Sequence, residues 1–70
     1  MKIATVQGTT VKIGDWVGFK CDIEQSGKIK DIRNGRFGKI LVLTNGNGFD
    51  GEYIGGKDIT EMDASDCWVD

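Results

Sequence analysis

The chain is most constrained by a period-two alternation that begins at Trp16. Val17, Phe19, Cys21 and Ile23 are apolar, and Trp16, Gly18, Lys20 and Asp22 stand between them. Residues two apart share one face of a β-strand, so the spacing predicts a strand with the first set inward and the second outward. The run Val11 to Lys20, V-K-I-G-D-W-V-G-F-K, places the turn pair Gly14-Asp15 just ahead of that strand. After a short interval Gly27 opens G-K-I-K-D-I, which reads as the returning strand of a hairpin. No apolar spacing of three and four sustains a helix beyond a single turn. Glycine occurs 11 times and proline not at all, a punctuation suited to short strands.

The expected strands are Lys2–Val6, Trp16–Asp22, Gly27–Arg33, Lys39–Thr44, Gly51–Ile54 and Cys67–Val69, with Asp58–Met62 as a further short extended piece. Asn34-Gly35, within Asn34 to Gly38, supplies the positive φ angles of a tight turn, and Asn45 to Gly48 supplies a second hairpin connection. Asp63 to Asp66 reads as one turn of 3₁₀ helix before the last strand. Ile29 and Ile32 are three apart, so strict alternation sets them on opposite faces. A bulge or bend near Lys30-Asp31 returns both to the core; the competing arrangement packs Ile32 outside, under a loop.

Seventy residues make one domain, 1–70. A chain this short buries only roughly 60% of its extended surface, which leaves a thin core. Short strands with turn signals every eight to twelve residues or so suggest a barrel or sandwich, and at this size a barrel closes its edges most economically. The start of the chain has no apolar leader segment, and no apolar run approaches the ~20 residues of a membrane span, so a cytoplasmic, non-membrane protein is expected. Cys21 and Cys67 are expected to stay reduced on that basis, although they are able to pair in principle.

Gly14-Asp15-Trp16-Val17, then Gly27 to Ile32, then the apolar strand Ile40 to Leu43, resembles the Src-homology-3-like small barrels, in particular the KOW and Tudor types. Asp63 to Trp68 is similar to the short turn that precedes the last strand of such barrels, and the likeness covers residues 11–70. It implies an all-β fold: a small five- to six-stranded Src-homology-3-like barrel (11–70) with an added N-terminal strand and loop (1–10). KOW-type barrels bind RNA or protein and Tudor-type barrels bind methylated side chains, so the resemblance implies a binding role. The stretch Gly48 to Gly56, with its G-F-D-G-E-Y-I-G-G style, also resembles small proteins of bacteriophage or bacterial origin.

Residue chemistry argues against an enzyme. There is no histidine, no activated serine or cysteine, and no glycine loop ending in Gly-Lys-Ser/Thr, and no cofactor is expected. Asp50, Glu52 and Asp58 lack calcium-loop spacing and read as a solvated acidic face, so no metal is expected either. Two binding surfaces are expected instead. The first, for a protein or peptide, combines the aromatics Trp16, Phe49 and Tyr53 with Asp50, Glu52 and Asp58, and favours a basic partner. The alternative takes RNA or single-stranded DNA on Lys28, Lys30, Arg33, Arg36 and Lys39, with Phe37 stacking on a base. Those five cations against Asp31 give residues 28–39 a local charge of +4, within a chain of net charge −2. Plainer roles stand beside each: a solubilising hairpin with Phe37 folded back, Trp16 packed on the N-terminal strand, Trp68 closing the barrel's end. A third class is a structural, self-assembling subunit, since Ile40–Leu43 suits a subunit interface and burial under an N-terminal strand equally well; the expected state is a monomer or weak homo-oligomer.

Overall fold

The computed structural model describes residues 2–21, 23–51 and 54–69. Its elements are β1 (Ile3–Val6), β2 (Thr9–Lys12), β3 (Trp16–Cys21), β4 (Ile23–Gly35), β5 (Gly38–Thr44), β6 (Ile59–Asp63), a 3₁₀ turn (Ala64–Asp66) and β7 (Cys67–Val69). The protein is all-β. β3 to β7 form a five-stranded antiparallel sheet in the order β6-β5-β4-β3-β7, and β1 and β2 form a separate hairpin.

The alternation from Trp16 sets β3 as expected: Val17 and Phe19 are fully buried, and Trp16 and Lys20 are exposed. Gly18 is buried as well, because Trp68 of the paired strand β7 lies over it; a Cβ at Gly18 would come within 2.1 Å of the indole Nε1. Ile23, expected inward, is 46% exposed. It pairs with Cys21 at the end of the β3–β4 hairpin, beyond the reach of the core.

β4 is longer than the expected Gly27–Arg33, and Gly27 lies inside it. This position is a seat. A Cβ there would lie 2.9 Å from Leu43 Cβ and 3.1 Å from Phe49 Cζ, so the absent side chain makes room for the Phe49 ring. The bulge falls where the Ile29/Ile32 spacing requires it. Ile29 pairs with Leu43 and Asp31 with Val42, which leaves Lys30 as the extra residue and turns both isoleucines inward. The Asp31 carboxylate braces this bend, accepting hydrogen bonds through Oδ1 from Ile32 N (2.9 Å) and Lys2 Nζ (2.7 Å). Upstream, the Gly14-Asp15 turn is tied to the same strand by Gly14 N to Ile29 O (2.9 Å) and Ile29 N to Asp15 O (2.8 Å).

Further expectations are corrected. The N-terminal strand is one arm of a hairpin whose second arm, β2, replaces an expected loop. Its two-residue turn, Gln7-Gly8, has positive φ at both positions (49° and 79°). The β4–β5 turn is Arg36-Phe37, between the paired Gly35 and Gly38, so Asn34 and Gly35 remain in the strand and Gly38 takes the positive φ. Asn45 to Gly48 does make a turn, closed by Gly48 N to Asn45 O (2.9 Å), but it leads into a loop that ends at β6. Gly51 and Ile54, the ends of the expected strand Gly51–Ile54, are a bend and a turn; residues 52 and 53 lie outside the described residues.

The core gathers Ala4, Val6 and Val11 from the N-terminal hairpin with Val17, Phe19, Ile29, Ile32, Leu41 and Leu43 from the sheet. Phe49 and Ile54 of the loop, Ala64 and Cys67 complete it. Phe19 and Phe49 meet edge to face, with centroids 5.5 Å apart at 65°. Burying each such ring contributes about 1.5–3 kcal/mol, a large share for a domain this small. Among the described residues no polar or charged side chain is buried. Cys21 and Cys67 are both free thiols.

Candidate functional site

One member of the aromatic and acidic set leaves the surface. Phe49, expected as an exposed contact, is fully buried against Phe19 and Gly27 and belongs to the core. Its backbone carries the loop into place, with Phe49 N donating to Lys57 O (2.8 Å) and Gly56 N to Phe49 O (2.9 Å). Glu52 and Tyr53 lie outside the described residues. Asp50 is fixed through its main chain: the Gln25 amide donates to Asp50 O (2.8 Å) and accepts from Asp50 N (2.9 Å). Asp58 O accepts from Thr44 Oγ1 (2.9 Å) and Asn45 N (3.0 Å). Both aspartates are exposed, and no group of potential metal ligands occurs among the described residues.

Trp16 is 48% exposed. It pairs with Lys28, which pairs in turn with Thr44 and that with Ile59, so one row crosses the sheet from Trp16 toward Asp58. Strands lie about 4.8 Å apart, so Trp16 and the loop that holds Asp58 are separated by the width of β4 and β5. A lysine from the second expected set therefore stands between Trp16 and Asp58. Trp68, seated against Gly18, is half-covered on the same sheet face as Trp16.

The basic set is divided by the hairpin's register. Lys28 is exposed in the row just described, and Lys30 is the exposed bulge residue. Arg33 pairs with Glu61 across β5. Lys39 pairs in register with Asn34 and is adjacent to Ile40, the partner of Arg33, so Arg33 and Lys39 lie on opposite faces of the ribbon. Lys39 Nζ donates to Asn34 Oδ1 (2.5 Å). Lys28, Lys30 and Arg36 form no ion pair among the described residues. At the apex Phe37 is 90% exposed, against 48% for Trp16, the next most exposed aromatic among the described residues. It does not fold back on the core.

Among the described residues two carboxylates are held below their ordinary range. For Asp31 the Lys2 ammonium is the larger cause and the Ile32 N–H the second; for Asp15 the Lys12 N–H comes first and the Lys12 ammonium second. Asp31 thereby neutralises Lys2, a residue outside both expected sets. Lys2 enters because β1 brings it beside the turn end of the β4–β5 hairpin. There, Lys2, Ile3, Ile32, Asn34 and Lys39 line a cleft of about 310 Å³. No local sequence pattern signals that meeting, which depends on where β1 crosses. A second groove, of about 350 Å³, is lined by Val42, Ile54, Lys57, Ile59, Thr60 and Glu61 beside β6. No helix is long and apolar enough to cross a membrane among the described residues.

No known protein family matches the chain, and neither a curated protein nor a solved structure matches it.

Proposed function

We propose that this protein is a non-enzymatic binding module on a Src-homology-3-like barrel frame of the KOW type, taking single-stranded nucleic acid at the β4–β5 hairpin tip. Support for the frame comes from the strand order β6-β5-β4-β3-β7, the mid-strand bulge at Lys30 and the 3₁₀ turn before β7. The observation that carries the binding reading is Phe37, 90% exposed on a two-residue turn beside Arg36. A phenyl ring left in water forgoes about 1.5–3 kcal/mol of burial, whereas a base stacked on it returns about 1–3 kcal/mol whatever the sequence. Arg36, Lys30 and Lys39 have no acidic partner among the described residues and are available to phosphates. The chain's net charge of −2 opposes them, which makes the binding weak and steeply salt-dependent.

The test is fluorescence anisotropy of a labelled single-stranded oligonucleotide between about 50 and 200 mM salt. With about three phosphate contacts, the logarithm of affinity should fall against the logarithm of salt with a slope of about −2. Phe37→Ala should weaken binding at least about fivefold without changing the slope or the melting temperature, because the ring supports nothing in the fold. Absence of binding at the lowest salt, or an unaltered Phe37→Ala variant, overturns the reading.

A protein partner is the second reading, favoured by Trp16 half-exposed on the sheet face that Trp68 also occupies. It has lost Phe49 to the core, and Lys28 stands between Trp16 and Asp58.

A further inference from the structure

We propose that the cleft between β1 and the turn end of the β4–β5 hairpin is a phosphate subsite for the strand whose base stacks on Phe37, an inference that rests on the nucleic-acid reading above. The cleft has an apolar floor, Ile3 and Ile32, and a polar rim of Lys2, Asn34 and Lys39. Two ammonium groups thus face one concavity, and with Lys2 compensated by Asp31 the positive potential there comes from Lys39.

The groups are not equally satisfied. Lys2 is paired with Asp31, whose Oδ1 also accepts from Ile32 N. Lys39 is held only by a neutral acceptor, Asn34 Oδ1, so its charge is uncompensated among the described residues. With its oxygen engaged by Lys39, the Asn34 amide keeps its Nδ2 donors without a protein acceptor among the described residues. An ammonium and an amide donor on one rim, a second ammonium opposite and no guanidinium fork suit a tetrahedral oxyanion better than a planar carboxylate.

Position links the cleft to the tip. Lys39 follows Phe37 by two residues, about 7 Å along an extended strand, which is within the span of a single nucleotide. A base stacked on Phe37 therefore places its own or the adjacent phosphate over Lys39, on the ribbon face opposite Arg33. The strand would run across the hairpin end toward β1, away from Glu61.

The experiment uses the full chain, a labelled single-stranded oligonucleotide and, separately, inorganic phosphate. Lys39→Ala should reduce the magnitude of the salt slope by about 0.7, the contribution of one phosphate contact to a single strand, and Lys39→Arg should preserve it. Phe37→Ala should lower affinity at constant slope. Amide resonances of Asn34 and Lys39 should shift on adding oligonucleotide, and much less on adding phosphate at equal concentration. If the wild type binds and Phe37→Ala weakens it while Lys39→Ala leaves the slope unchanged, the subsite is overturned and the stacking reading stands. If the wild type does not bind the oligonucleotide, both fall. Equal shifts with phosphate alone, without oligonucleotide binding, would make the cleft a free-anion site and also overturn the proposal.

Discussion

Cys67 shows how one side chain's setting determines its chemistry. It is 2% exposed, and burial first, then the carboxylates of Asp66 and Asp63, push its thiol up to about 11 from the ordinary 9.0. The thiolate is the reactive form, so Cys67 should be inert in the folded protein, whereas the half-buried Cys21 is reached more readily. Alkylation near pH 8 should therefore modify Cys21 first, with Cys67 following only at the rate of local opening. Mass spectrometry of a time course checks this, and two equal rates would contradict it. The stability consequence has a definite sign. A raised folded pKa leaves stability intact below 9.0 and removes it as pH climbs toward about 11, because the unfolded chain releases that proton first.

At the scale of elements, the loop between β5 and β6 behaves as an anchored insert. Phe49 and Ile54 plug it into the core, and Gln25 of β4 clasps the main chain of Asp50 with one donated and one accepted hydrogen bond. Each such bond contributes about 0.5–1.5 kcal/mol, so Gln25→Ala should raise the exchange rate of the Asp50 amide roughly tenfold. Urea denaturation should show a loss of only about 1–2 kcal/mol in the same variant. An Asp50 amide that exchanges as before would mean that Phe49 alone holds the loop. Local pattern revealed the strands that alternate cleanly, the bulge forced by Ile29 and Ile32, and the 3₁₀ turn before Cys67–Val69. It hid β2, where Val11 is the one buried residue and the turn uses glutamine in a left-handed conformation. It also hid the role of Phe49, because a plug from an irregular loop has no period; Gly27 looked like a strand opening when it is the space the ring occupies.

For the whole molecule, the uneven charge of the sequence is only partly cancelled by folding. The ion pairs among the described residues, Lys2–Asp31, Lys12–Asp15 and Arg33–Glu61, are all at the surface, where such pairs contribute about 0–1 kcal/mol. Raising salt should accordingly change the melting temperature by a few degrees at most, while oligonucleotide affinity falls steeply. A melting temperature that tracks salt as strongly as binding does would show that the charges mainly serve the fold. The candidate site was legible as composition, in the five cations and Phe37 between 28 and 39. Its geometry was not, since hairpin register sends Arg33 and Lys39 to opposite faces and the course of β1 introduces Lys2. The sheet order has a further consequence in time. β3 hydrogen-bonds to β4 on one side and to the much later β7 on the other, so its outer edge stays unpaired until residues 67–69 have been synthesised. Until then that edge is a template for the wrong neighbour, and the three residues of β7 act as its cover.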